Sequence, residues 1–293
     1  MGAVRKMRPF GRTDFHGGMM NYRTFTFTAV LLTVVVVRAV PGLAATPCED
    51  LTKLSLSDTT MTSAQMVAAG VFTPPNAGGT RSVLSTAGSI SPRGGAEAQK
   101  QQYAKLPAFC RVMLTLRPSS DSDIKVEVWL PSSGWNGKFE AVGAGAMAGS
   151  IPYALMAPAL AEGYATSGTD TGHVGNNADF MPEHPEKLID FAHRAIHEMA
   201  VKAKAVVNAY YGSVPKWSYF NACSGGGRAG LANAQRYPDD FQGIVSGAAS
   251  WNPMPMDAAR VAVNLTVNRT PDSAIPPSKY QMIHNAVMQA IAD

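Results

Sequence analysis

The stretch Asn221–Gly230, N-A-C-S-G-G-G-R-A-G, decides how the chain is read. The apolar run Trp217–Phe220 leads into it, and a helix-like run, Arg228–Tyr237, leads out. A serine among small residues, where a strand turns sharply into a helix, is the arrangement of a nucleophile elbow. The backbone at such a serine is strained, so its neighbours must be too small to clash. Ala222, Gly225, Gly226 and Gly227 meet that need. The turn lifts the Ser224 hydroxyl clear of the sheet and aims the first N–H groups of the helix at the point where an oxyanion forms. Two other readings compete, a glycine-rich anion cradle and a plain tight turn. The stretch is not a Walker A loop, because no G-K-[ST] follows, and it lacks G-x-G-x-x-G spacing from Gly225.

Outward from the elbow, strands and helices alternate. Ile124–Leu130 (I-K-V-E-V-W-L) has period two, with Ile124, Val126, Val128 and Leu130 on one face. Strands are also expected at Arg111–Leu116, Lys138–Val142, Tyr164–Ser167 and Gly243–Ser246. Helices are expected at Tyr153–Glu162 and, as one long amphipathic element, at Glu186–Tyr211, where Leu188, Ala192, Ala195, Met199, Ala203, Val206 and Tyr210 recur at helical steps. This alternation predicts an α/β fold with a parallel sheet covered on both faces. The loops Gly143–Ala146, Gly168–His173 and Ser224–Gly227 then gather at the strand C-termini in one cleft. Less patterned segments flank this core. Met61–Ala69 reads as a short helix, Thr73–Gly95 and Asn252–Met256 as loop, and Ser278–Ile291 as a helix.

The chain has 293 residues and a net charge of +4. Residues 1–44 hold Arg5, Lys6, Arg8, Arg12, Arg23 and Arg38 against Asp14, a charge of +5, so the remainder carries −1. A nearly neutral body gives no electrostatic case for nucleic acid as a partner. The apolar run Phe25–Val37, basic residues before it and small residues at Gly42 and Ala44 predict a signal peptide over 1–44, cleaved before Ala45, with Met20 a plausible true start. The expected location is therefore secreted or periplasmic, with no membrane association after cleavage. Export makes disulfides relevant to the three cysteines, Cys48, Cys110 and Cys223. A Cys48–Cys110 bridge would tie down the mature N-terminus, stabilising it by roughly 3–4 kcal/mol in the chain-entropy model. Cys223 is then left over, beside the candidate nucleophile.

Several stretches together resemble the tannase and feruloyl esterase family, which also contains the hydrolase of mono(2-hydroxyethyl) terephthalate. They are P-A-F-C-R-V, V-W-L-P followed by W-N-G-K-F, A-G-S-I, G-Y-A-T-S-G-T-D-T-G-H, P-E-K-L-I-D-F, C-S-G-G-G-R and R-Y-P-D-D-F-Q-G-I-V. The resemblance runs from about Cys48 to the C-terminus. It implies an α/β-hydrolase core with an inserted lid, a Ser–His–Asp triad and cleavage of phenolic-acid esters. It implies that Cys223 pairs with a cysteine beside the catalytic histidine. It places the acid, the histidine, that cysteine and a calcium-binding lid after Asp293, so residues 45–252 are expected to be an incomplete core and 253–293 the start of the lid. Three smaller departures stand out, Ala222 where the family usually has Gly, Gly225 where it often has Thr, and Gly143-Ala-Gly-Ala where a more Gly-rich loop is usual.

The sequence thus assigns Ser224 as nucleophile, with the N–H groups of Gly225 and of Gly145 in the Gly143–Gly145 loop as oxyanion donors. Asp170 and His173, in T-D-T-G-H, are candidate cleft-lining residues; a substitute base–acid pair is the alternative reading. Arg228 suits either a substrate carboxylate or a salt bridge within the fold. His184, His193, His197 and His284 show no acid partner, no cluster has metal-ligand spacing, and no cofactor is expected within this chain. The first expectation is a carboxylic ester hydrolase acting on small aromatic esters, inactive without the missing triad members. The rival is a non-catalytic protein that binds aromatic esters or a partner.

Overall fold

The computed structural model describes residues 45–75, 95–147, 149–250 and 252–292. The expected signal peptide and most of the Thr73–Gly95 loop lie outside the described residues. Seven strands form one sheet: β1 (Thr59–Val67), β2 (Phe109–Leu116), β3 (Ile124–Pro131), β4 (Lys138–Gly143), β5 (Ala165–Thr169), β6 (Trp217–Cys223) and β7 (Gly243–Gly247), in the spatial order β1-β2-β3-β5-β4-β6-β7. The βα alternation correctly predicts parallel pairing, but only for β5, β4, β6 and β7. β1, β2, β3 and β5 pair antiparallel, so the sheet is mixed.

Helices cover both faces. On one, α4 (Ala195–Tyr211) and α5 (Gly225–Arg236) enclose a core with Val112, Val126, Val128, Met199, Val206 and Phe220. On the other, α1 (Gly95–Ala104) and α2 (Tyr153–Ala161) pack on Phe109, Trp129, Val142 and Met156. Strand β3 shows why the fold needs both covers. Ile124, Val126, Val128 and Leu130 fill the first core as their alternation predicts, while Trp129 on the opposite face is fully buried in the second. Glu127, 2 % exposed, can sit beside Trp129 because it accepts bonds from Arg111 (2.6 and 2.8 Å), Tyr153 (2.7 Å) and Trp129 Nε1 (3.0 Å).

Three expectations are corrected. Met61–Ala69 is not a helix: Thr59–Val67 is an edge strand whose β-branched threonines suit the pleat, and its ladder with β2 outweighs the weak helical preference of Met, Ala and Gln. The long Glu186–Tyr211 helix is interrupted. α3 (Pro185–Ile189) passes through a π-helical turn, Asp190–Arg194, into α4. The extra residue in that turn shifts the helical phase, which leaves Leu188 at 44 % exposure while Ile196, Ala200 and Val207 join the buried face. Asn252–Met256 is not loop, because α6 (Pro253–Val267) begins there. Pro253 and Pro255 occupy the first turn, where their missing N–H groups have no intrahelical acceptor in any case. α6 and α7 (Tyr280–Ala292) carry exposed Val263, Leu265, Met282 and Ile283.

The predicted disulfide forms. Cys48 and Cys110 are bonded, with Cα atoms 5.7 Å apart, which fastens the chain before the 3-10 turn Glu49–Lys53 to β2. Cys223 is a free, partly buried thiol. Among the described residues no helix is long and apolar enough to cross a membrane.

Candidate active site

The chain leaves β4 toward β5 but leaves β6 toward β7, so β4 and β6 are neighbours whose onward connections run in opposite directions. A crevice therefore opens between their C-terminal ends, where ligands bind in open α/β sheets. Ser224 stands at this point, between β6 and α5, with φ 58° and ψ −119°. That region is sparsely populated by non-glycine residues and costs of order 1–3 kcal/mol, so the surroundings must enforce it. They do so backbone to backbone. Ser224 N–H donates to Gly247 O at 2.9 Å, and Arg228 N–H donates to Ser224 O at 3.0 Å. A Cβ on Gly227 would lie 2.5 Å from Gly247 O, and one on Gly226 would lie 2.7 Å from Ala222 Cβ and 2.8 Å from Ala144 O. β6, β7, α5 and the loop after β4 are thus packed too closely for side chains at these positions. Ser224 itself is exposed.

The loop after β4 meets the elbow. Gly225 abuts Ala146, whose carbonyl oxygen leaves no room for a Cβ there. Ala146 has φ 53°, and Gly145 is buried. Among the described residues, neither the Gly145 nor the Gly225 N–H donates a backbone or side-chain hydrogen bond. The structure brings these two sequence-predicted residues into adjoining loops, beside a recess lined by Gly143, Ala146, Phe191, Gly225 and Arg228.

The third loop follows β5. Asp170, 6 % exposed, accepts bonds on Oδ1 from Lys125 N–H and Gly172 N–H, both 2.9 Å. Burial raises its pKa to about 7 against those two bonds. His173 Nε2 lies 2.8 Å from Met147 O and Nδ1 lies 3.3 Å from Thr171 Oγ1, with the ring stacked on Phe180 at 3.9 Å. Burial lowers the pKa of this imidazole. Neither side chain is bonded to Ser224 or to the other, so the substitute base–acid pair does not form.

Arg228 makes no salt bridge among the described residues. It donates from Nη1 to Ala192 O at 3.3 Å and lies over the Phe191 ring at 5.2 Å. The carbonyl it uses belongs to the π-helical turn. Sequence reasoning missed two histidine–carboxylate pairs, His184–Asp121 (2.9 Å) and His197–Asp240 (2.8 Å). Their partners stand far apart in the chain on separate elements, and no local spacing signals them. It also missed Asn176, whose Oδ1 accepts from Met147 N–H at 3.0 Å. Among the described residues no three His, Cys, Asp or Glu side chains converge.

Comparison with known proteins decides the family. The family described as tannase and feruloyl esterase matches residues 110–292. The chain belongs to this family. An uncharacterized esterase of Xanthomonas campestris pv. campestris is 41% identical over 209 residues, covering 71% of this chain and 32% of the relative. A probable feruloyl esterase B-1 of Aspergillus oryzae is 36% identical over 184 residues, covering 62% of this chain and 34% of the relative. The crystal structure of feruloyl esterase B from Aspergillus oryzae superposes with a TM-score of 0.56 at 34% identity, covering 69% of this chain and 36% of that one. Tannin acyl hydrolase from Aspergillus niger shares the fold, with a TM-score of 0.57 at 22% identity over 80% of this chain and 41% of that one. The fold is thus that of α/β-hydrolase-type esterases, and this chain spans about a third of the length of the curated relatives it matches.

Proposed function

We propose that the protein is an exported serine ester hydrolase acting on phenolic-acid esters. The observation that carries this reading is Ser224 at φ 58°, ψ −119°, exposed at the sheet's switch point, with the N–H of Gly225 next in the chain and that of Gly145 in the adjoining loop, neither bonded to a partner among the described residues. In this reading Ser224 Oγ attacks the ester carbonyl, and the alcohol half leaves. Water then hydrolyses the acyl-serine, releasing the phenolic acid. The N–H groups of Gly225 and Gly145 stabilise the oxyanion in both steps. Loss of one such donor typically costs about 3 kcal/mol of barrier. Export is supported by the leader-like pattern of residues 1–44 and by the Cys48–Cys110 disulfide.

The general base lies outside the described residues. His173 is turned to Met147 and Thr171, and no other described histidine bonds to Ser224. Residues 45–292 alone therefore supply nucleophile and oxyanion donors without proton transfer, and hydrolyse esters no faster than residual triad-deficient catalysis. The unbased serine is also the one observation that favours the rival reading, a non-catalytic protein that binds aromatic esters.

Turnover of methyl ferulate and methyl gallate by the purified chain, with and without added imidazole, separates these readings. The expected result is negligible hydrolysis alone and a clear gain with imidazole that Ser224→Ala abolishes. Imidazole-dependent hydrolysis that survives Ser224→Ala would remove the serine from the mechanism. Brisk hydrolysis without imidazole, lost in Ser224→Ala, would place a base among the described residues after all.

A further inference from the structure

The loop after β4 turns away from the elbow through Met147, and both backbone groups of Met147 are held by side chains of the loop after β5. Asn176 Oδ1 accepts its N–H at 3.0 Å, and His173 Nε2 lies 2.8 Å from its carbonyl oxygen. A carbonyl can only accept, so His173 is the neutral tautomer with the proton on Nε2, or the doubly protonated ring. Two residues on, Gly149 and Gly175 form an isolated bridge, with N–H to carbonyl distances of 2.6 and 3.3 Å. Gly149 lies so close to His173 that a Cβ there would come 2.5 Å from the His173 carbonyl oxygen and 2.6 Å from Cδ2. The imidazole is itself fixed, stacked on Phe180 at 3.9 Å and met edge-on by Phe191 at 5.4 Å. In contrast, among the described residues the N–H groups of Ala144, Gly145 and Ala146 donate no hydrogen bond, so within that stretch the loop is held only by packing on the elbow, Ala144 against Gly226 and Ala146 against Gly225.

We infer that His173, with Asn176, is a positioning residue for the oxyanion loop: the pair clamps Met147 and so sets where the Gly145 N–H points beside Gly225. The inference rests on the reading of Ser224 and the Gly143–Gly145 loop given above, and it assigns His173 a role in holding backbone rather than in moving a proton. Placement of a donor matters because oxyanion stabilisation is geometric: a displacement of about 1 Å can cost on the order of a hundredfold in rate.

Two substitutions isolate the clamp. His173→Phe keeps a ring to stack on Phe180 but removes the donor, and His173→Gln restores an N–H near the place of Nε2. Three quantities are measured on the full chain: hydrogen exchange of residues 143–149, the rate of Ser224 acylation by p-nitrophenyl acetate in the presence of imidazole, and hydrogen exchange of β3 as a control. His173→Phe is expected to speed exchange across 143–149 and to slow acylation, each by about tenfold or more, with β3 unchanged. His173→Gln is expected to stay within about threefold of the parent on both. Unchanged loop exchange in His173→Phe, or a Gln variant as impaired as the Phe variant, would overturn the clamp. A faster β3 would show a general loss of structure and overturn the local role as well. Absence of acylation at Ser224 in the parent would sink the underlying reading of the site, while the exchange arm still decides whether His173 holds the loop.

Discussion

The elbow and the loop that faces it are built in opposite ways. At the elbow, Ser224–Gly227 is fixed by backbone against backbone. Gly227 lies against Gly247, Gly226 against Ala144 and Ala222, and the Ser224 N–H is bonded to Gly247. The loop after β4 packs on the elbow through Ala144 and Ala146, but where it leaves the elbow, at Met147, it is fixed by side chains reaching across, His173 and Asn176. The first kind of hold is stiff and tolerates no added atom, whereas the second yields locally. A nucleophile kept in a strained conformation needs the first kind, because strain persists only where the surroundings over-determine it. Oxyanion donors need only correct aim, and hydrogen bonds suffice for that.

This contrast can be broken most sharply at two glycines. Gly227→Ala puts a Cβ 2.5 Å from Gly247 O and 3.2 Å from Ala249 Cα, so α5 must move off β7. A loss of about 3 kcal/mol is expected in denaturant unfolding, with Ser224 reactivity falling in parallel. Gly225→Ala puts its Cβ against Ala146 instead, on the yielding loop. Its loss is expected to be smaller, about 1 kcal/mol, with hydrogen exchange rising only across residues 143–149. Equal losses for the two variants would show that elbow and loop are equally rigid.

The loop after β5, which carries the clamp, has a pH dependence of its own. Burial pushes the Asp170 carboxyl up to about 7 in the fold from its ordinary 3.8, so the folded state holds its proton more tightly than the unfolded chain does. The stability this provides is fully present below about pH 4 and is lost as pH rises through 7. From pH 5 to pH 8 the parent is expected to lose about 2–3 kcal/mol through this group, and Asp170→Asn is expected to flatten that slope. The amide oxygen can still accept from Lys125 and Gly172, so the variant stays folded. Parallel slopes for parent and variant in thermal melts at pH 5 and pH 8 would contradict a protonated Asp170. The smallest effect is expected from Asn176→Ala. It removes one exposed bond to Met147, which should cost below about 1 kcal/mol overall and show as faster exchange of the Met147 amide.

What the sequence revealed follows the same division. The elbow was legible because close backbone approach leaves a local trace, glycines at Gly225, Gly226 and Gly227 directly after a serine. Strand β3 was legible because its two faces alternate, Ile124, Val126, Val128 and Leu130 against Trp129. The clamp was not, because His173 and Asn176 act on a residue in another loop, and nothing near T-D-T-G-H names Met147 as its partner. Strand β1 was misread for a related reason: Met61–Ala69 takes its conformation from pairing with β2, a neighbour set by topology and secured near Cys110 by the disulfide. The π-helical turn at Asp190–Arg194 was hidden because a single extra residue changes the phase of a helix without changing its composition.

The central claim is that Ser224 is the nucleophile. Intact mass and peptide mapping after reaction with p-nitrophenyl acetate in the presence of imidazole test it directly, since imidazole stands in for the base that activates a serine hydroxyl. The account predicts one acetyl group, located on Ser224 and absent in Ser224→Ala. Acetylation elsewhere, with Ser224 left unmodified, would contradict it.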